Sequence, residues 1–403
     1  MNYSDGIEMM QNGIEGFHGK FKKMYGQIAL RLDDEVYLAT GMTKAIADIR
    51  TEDIAEYDIN TGYLGEILRA CHKINAVIFG CTQDAVDVSE KYEAVPVALE
   101  DIAQISGAFV HVIDEATPDK VIRALSESSV CYVKGSGIIA GGSNMRKAVA
   151  AILIAQKSAE AIVHGELIGG AKPFNESEAL RLRSEFESKY VETNQNESVD
   201  YIGYDEATFG IRKAILEYGQ NLVRNDLVYG AWGNISVRTD DGKMLITPSS
   251  IDYFEMGIED IVEVDIASLD AEGQRIPSGD MKMHAEMYRN LPGCNAIVHT
   301  HSNALSVFAA CEAGFAINDP NLSKLIGDIK VVPFGDTSSQ EFNEDLISTM
   351  SDTHAAILAH HGAVFYGPSL ELVFSIAEAV EHMARNLLGY DRKEETDEDE
   401  TIG

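Results

Sequence analysis

The chain is 403 residues long, 45% apolar, and carries 65 acidic against 32 basic side chains, a formal net charge of -33. That length suits two domains with sizeable cores. So acidic a surface repels phosphate backbones and anionic membranes, which argues against nucleic-acid and membrane partners.

The first residues, Met1–Gln11, contain acids and no apolar run, so they do not read as a secretory leader. No segment approaches the ~20 apolar residues of a membrane span. The five cysteines, Cys71, Cys81, Cys131, Cys294 and Cys311, are odd in number and irregularly spaced. Reduced thiols in a cytoplasmic protein are expected.

Gly26–Ile59 is the first copy of a repeat. Set against Gly233–Ile266 without a gap, it is identical at 13 of 34 positions, where ordinary composition gives about two or three by chance. The shared skeleton runs through Arg31, Asp33, Asp34, Leu38 and Thr40 and returns as Arg238, Asp240, Asp241, Leu245 and Thr247. Asn75-Ala76-Val77-Ile78 then answers Asn295-Ala296-Ile297-Val298, and Gly137–Gly142 answers Gly362–Gly367. A charged helical stretch, Glu176–Tyr190, leads to a polar joint, Thr193-Asn194-Gln195-Asn196-Glu197-Ser198.

In the second copy, Asn234–Val237 and Lys243–Thr247 alternate about Asp240-Asp241-Gly242, which predicts a hairpin. Asp280–Arg289 spaces Met283, Met287 and Tyr288 for a helix that stops at Pro292-Gly293. Ala296–His299 and Ala355–Ala359 read as short buried strands, and Ser369–Leu388 as a long amphipathic helix. The pattern predicts two tandem α/β/α domains. The expected divisions are 1–172, a helical and polar linker at 173–204, 205–390, and an acidic disordered tail at 391–403.

Three histidines of the second copy stand at predicted strand ends. His299 and His301 share one face of a strand, about 6–7 Å apart at the backbone, and His361 follows a second strand. Neutral imidazoles so placed suit zinc and other borderline divalent metals. The first copy has Phe79, Cys81 and Ser136 at the matching positions, with Asn60 opposite Asp280. Joint loss from one copy points to one shared task in the other. His284 is expected to support or pack against the site, and His360 to point away from it on its strand.

Gly233-Asn234-Ile235-Ser236, Thr247-Pro248-Ser249-Ser250, Pro277-Ser278-Gly279-Asp280, His299-Thr300-His301 and His361-Gly362 occur in the order seen in the class II aldolase/adducin family. The second half resembles that family over nearly its whole length, and the first half looks like a degenerate copy. The resemblance implies two α/β domains, each a mainly antiparallel sheet flanked by helices. It implies one divalent ion per chain, with zinc expected, on His299, His301, His361 and Asp280. Asp280 would also be the general base, and Tyr390 is a candidate proton donor. Gly233, Asn234, Ser249, Ser250, Ser278 and Gly279 would hold a substrate phosphate. Three residues depart from the aldolase pattern: Ser250 stands for the usual glycine, Gly279 for serine, and Asp280 for glutamate.

The chemistry fits these residue types. A cation that chelates a carbonyl and a neighbouring hydroxyl stabilises an enediolate, and a carboxylate beside it can take the proton. The expected function is a metal-dependent aldehyde-lyase acting on a ketose phosphate or related hydroxy-carbonyl compound. The alternatives are a sugar-phosphate 4-epimerase and a non-catalytic adducin-like scaffold. A homo-oligomer is expected, with two chains forming a ring of four domains.

Overall fold

A computed structural model describes residues 1–17, 21, 23–193, 206–272 and 275–390. The expected acidic tail and most of the polar joint lie outside these residues. The chain forms two compact units, Met1–Val163 with Pro173–Glu187, and His164–Lys172 with Ser188–Gly403.

The first unit begins with α1 (Tyr3–Ile14) and strands β1 (Tyr25–Arg31), β2 (Val36–Thr40), β3 (Lys44–Ala45) and β4 (Ile54–Asp58). Next come α2 (Gly62–Ala70), β5 (Ala76–Cys81), α3 (Gln83–Lys91), β6 (Ala94–Pro96), α4 (Glu100–Ser106) and β7 (Phe109–Ile113). It continues with α5 (Pro118–Glu127), β8 (Val130–Val133), β9 (Gly137–Gly142), α6 (Met145–Gly165) and α7 (Glu176–Thr193). The sheet order is β4-β2-β1-β5-β9-β8-β7-β6, with β3 beside β1. Every pairing is antiparallel except β7 with β8.

The second unit repeats this plan. It holds α8 (Glu206–Arg224), β10 (Asn234–Arg238), β11 (Lys243–Ile246), β12 (Val262–Asp265), β13 (Ala271–Glu272), α9 (Met281–Asn290) and β14 (Ala296–Thr300). It ends with α10 (Asn303–Ala310), α11 (Pro320–Ile326), β15 (Lys330–Val332), α12 (Gln340–Thr349), β16 (Ala355–Leu358), β17 (Gly362–Gly367) and α13 (Leu370–Leu388). The order β13-β12-β11-β10-β14-β17-β16-β15 is antiparallel except for β15 with β16.

The correspondence extends to single hydrogen bonds. The Thr40 hydroxyl accepts from the Ile28 N–H at 3.1 Å, and Thr247 accepts from Ile235 at 3.2 Å. Gln27 pairs with Phe79 in register, as Asn234 pairs with His299. Arg31 reaches the Leu68 carbonyl at the end of α2, and Arg238 reaches the Tyr288 carbonyl at the end of α9.

The residues between the copies are distributed differently from the expected linker. Within the second unit, the Lys172 N–H donates to the Ala310 carbonyl at 2.8 Å. Within the first, α7 buries Ala179 and Leu182, and Arg183 donates to the Ser106 carbonyl at 3.2 Å. The apolar positions hidden among the charges of α7 give it a face to pack.

Both faces of β14 are covered, so all five of its residues are buried. Ile297 packs in the core with Met283 and Met287 of α9 and Phe342 and Leu346 of α12. The strand period of two carries His299 and His301 along that same face. Thr300 belongs to the opposite face, on which α13 packs.

Candidate metal centre

His299 is the last residue but one of β14, His301 lies one residue past the strand, and His361 immediately precedes β17. Because β14 and β17 pair antiparallel, with Thr300 opposite Ala363, the three rings come together at one strand end. Their centroids are 4.8, 4.8 and 5.0 Å apart, and their ligating atoms all lie within 4.8 Å of one another.

Two glycines permit this approach. A Cβ on Gly362 would stand 2.2 Å from the Thr300 carbonyl oxygen. Gly233 has φ +77, and a Cβ there would stand 2.7 Å from the His299 carbonyl oxygen. A side chain at either position would push on the backbone that carries the histidines.

The donor set fits a borderline divalent ion. His299 Nδ1 lies 3.0 Å from the Ala363 carbonyl oxygen. A carbonyl can only accept, so Nδ1 carries the proton and Nε2 presents its lone pair to the cluster. His299 Nε2 and His301 Nε2 face each other at 3.0 Å. Asp280 Oδ2 is 3.9 Å from His299 Nε2. Three imidazoles and one carboxylate are suitable ligands for zinc or a similar ion.

Asp280 sits at the start of α9 and is gripped at both oxygens. Asn234 Nδ2 donates to Oδ2 at 2.7 Å, and the Thr337 hydroxyl donates to Oδ1 at 2.8 Å. Burial alone would raise its pKa, but His299, His361, the Thr337 hydroxyl and His284 together hold it below the usual carboxylate range. Asn234 is itself buried, and its Oδ1 has no hydrogen-bond partner among the described residues. The amide expected to hold phosphate is therefore engaged, through its nitrogen, with the carboxylate.

Behind Asp280, His284 is fully buried on α9. Its Nδ1 lies 2.7 Å from Ser236 Oγ, which lies 2.7 Å from Tyr288 Oη. Burial, opposed by Asp280 and aided by His299, pushes the His284 pKa down to about 3, so the ring is neutral. Its Nε2 has no hydrogen-bond partner among the described residues.

The two loops that carry the other expected substrate groups are joined. Pro248 and Pro277 form an isolated antiparallel bridge, with Ser249 N–H donating to Ile276 O and Ser278 N–H to Thr247 O. Ser249 Oγ and Ser250 Oγ are 3.2 Å apart, and Ser250 has φ +63, a conformation natural to the glycine it replaces. Ser278 Oγ accepts from the Asp280 N–H at 3.3 Å. A Cβ on Gly279 would meet nothing within 4 Å.

Tyr390, at the end of α13, packs edge-on against His164 at 4.6 Å, with Arg385 over its ring. His360 is not on a strand. It occupies the turn between β16 and β17 at φ +61, with Nε2 3.0 Å from Glu312 Oε1. Sequence reasoning missed Thr337, whose run Gly335-Asp336-Thr337-Ser338-Ser339 signals only a turn.

The family described as the class II aldolase and adducin N-terminal domain matches residues 16–163 and again 213–388. A 5-deoxy-D-ribulose 1-phosphate aldolase of Bacillus thuringiensis serovar kurstaki is 30% identical over 179 residues, 43% of this chain and 82% of the relative. A 3-oxo-tetronate 4-phosphate decarboxylase of Pectobacterium atrosepticum is 30% identical over 180 residues, 43% of this chain and 82% of its own. A solved L-fuculose 1-phosphate aldolase is 30% identical with a TM-score of 0.43, covering 45% of this chain and 87% of that one.

Proposed function

The chain belongs to the class II aldolase and adducin family, whose domain it contains twice, and on that premise we propose that its second half is a metal-dependent aldehyde-lyase. Its substrate would be a ketose phosphate or a related hydroxy-carbonyl compound. The observation that carries this reading is the convergence of His299, His301 and His361 beside a carboxylate held at both oxygens.

His299, His301 and His361, with Asp280 adjacent, would hold one divalent ion, zinc being expected. Such an ion supplies Lewis acidity, stabilising negative charge on a substrate carbonyl and its neighbouring hydroxyl. Asp280 is the base. In condensation it would take a proton from the carbon beside the carbonyl. In cleavage the hydroxyl on the departing carbon would lose its proton as the carbon–carbon bond breaks and the aldehyde forms, and the protonated Asp280 would deliver a proton to the carbon left behind. Asn234 and Thr337 keep the carboxylate aimed, and His299 and His361 with the Thr337 hydroxyl keep it ionised. The joined loops at Ser249 and Ser278, whose own N–H groups are spent on the bridge between them, would receive the phosphate through the serine hydroxyls, without cationic side chains.

The test is a retro-aldol screen of ketose 1-phosphates, following release of dihydroxyacetone phosphate and aldehyde with metal added and removed. Asp280→Asn should lose about two to four powers of ten in turnover. Metal-independent cleavage would overturn the reading. Asp280 in place of glutamate supports a second possibility, a 4-epimerase, which would isomerise a pentulose phosphate without releasing free aldehyde. An adducin-like scaffold would show no turnover and no bound metal.

A further inference from the structure

His301 is followed directly by Ser302, the N-cap of α10, whose own side chain makes no capping hydrogen bond. The start of that helix is held from another element. Glu381 of α13 is buried, and Oε2 accepts from the Ser302 hydroxyl at 2.8 Å and the Leu305 N–H at 3.0 Å. Its Oε1 accepts from the Ala304 N–H at 2.8 Å. One carboxylate thus holds three of the four residues that follow the histidine arm.

Charge gives this arrangement a further consequence. A helix N-terminus carries a partial positive charge of about half a unit. Here it lies one residue from a histidine expected to bind a cation, and the two repel. A buried carboxylate on those N–H groups cancels the repulsion and holds the backbone behind His301.

The first half provides an internal comparison. By the alignment that pairs the strands, Thr82 stands for Ser302, α3 for α10, and Gln156 for Glu381. The Thr82 hydroxyl still bonds Gln156 Oε1. There, however, Thr82 caps its own helix through the Ala85 N–H at 3.3 Å, and Gln156 Nε2 turns to Asp84 and Glu160. The half without the three histidines has a neutral amide where the half with them has a carboxylate.

We propose that Glu381 is a positioning residue for the metal-binding arm His299–His301, acting through the N-terminus of α10. The proposal rests on reading the second half as a metal site. It is tested on the full chain with Co²⁺ alone, by chelator competition and by the visible spectrum of the bound ion. Glu381→Gln copies Gln156 at nearly the same volume. It should weaken cobalt affinity roughly 10–100-fold and change the cobalt spectrum, while the melting temperature of the metal-free protein stays near wild type. If Glu381→Gln does not fold, Ser302→Ala removes one contact and should weaken affinity in the same direction. Unchanged affinity and spectrum, with or without a loss of thermal stability, would make Glu381 a structural cap and overturn the inference. Wild-type protein that binds no cobalt would overturn the metal site itself, and this inference with it.

Discussion

Asn234 Nδ2 lies 2.7 Å from Asp280 Oδ2, and Asn234 pairs in register with His299, so one amide ties the carboxylate to the strand beside the histidines. Asn234→Asp would set two carboxylates face to face at that distance. They cannot both ionise cheaply, so the pair keeps a proton to higher pH. The base is active when deprotonated, and activity falls as pH drops through its pKa. The acid limb of kcat/KM should therefore move up by about one pH unit or more. An unmoved acid limb would separate Asn234 from the base.

Metal content should be one ion per chain, bound in the second half alone. In the first half Phe79 and Cys81 occupy the positions of His299 and His301, as the shared register of β5 and β14 shows. Phenylalanine offers no donor, and burial pushes the Cys81 thiol up, away from the thiolate that a metal needs. Elemental analysis of protein purified without added metal checks this. The double variant His299→Ala/His301→Ala should retain none, and two ions per wild-type chain would contradict the assignment.

The two glycines of the site loops should respond oppositely to a side chain. Gly233 has φ +77, and a Cβ would stand 2.6 Å from Val228 Cγ1 as well as against the His299 carbonyl. Gly233→Ala should cost about 2 kcal/mol of stability and reduce metal retention. Gly279→Ser restores the residue usual in the aldolases at a position where a Cβ meets open space, and should stay within about 0.5 kcal/mol of wild type. Chemical denaturation with metal analysis of both variants decides the point, and equal behaviour would show that the turn geometry is not what holds His299.

Much of the fold was legible because it rests on local pattern. Asp240-Asp241-Gly242 marks the hairpin found between β10 and β11, and the spacing of Met283, Met287 and Tyr288 marks α9. The histidines stood out because the first copy keeps the scaffold and lacks all three. The grip on Asp280 left no such trace, since Asn234 and Thr337 come from 46 and 57 residues away. Such pairs have no period, and a lone threonine in a turn-rich run looks like any other. The position of His360 was hidden for a related reason. The strand pattern of Ala355–Ala359 gives no warning that the next residue enters a left-handed turn.

The pH dependence of stability should carry the signature of His284. Its ring is buried and neutral, with a pKa near 3 in place of the ordinary 6.5. As pH falls through 6.5 the unfolded chain takes a proton that the folded one refuses. Stability from this group is full above 6.5 and declines below it, at a slope approaching about 1.4 kcal/mol per pH unit. By pH 5 that amounts to about 2 kcal/mol. Asp280 acts in the same direction, but only as pH nears its unfolded value of 3.8 and drops below it. His284→Asn keeps a polar partner for Ser236 and removes the titration. Acidification also relieves the repulsion within a chain of net charge -33, but that effect is common to both proteins. The comparison of metal-free wild type and His284→Asn therefore isolates the one group. Denaturant unfolding at pH 7, 6 and 5 and fixed ionic strength should show the wild type losing about 2 kcal/mol more than the variant. Parallel losses would mean that the buried ring takes up its proton without unfolding the domain.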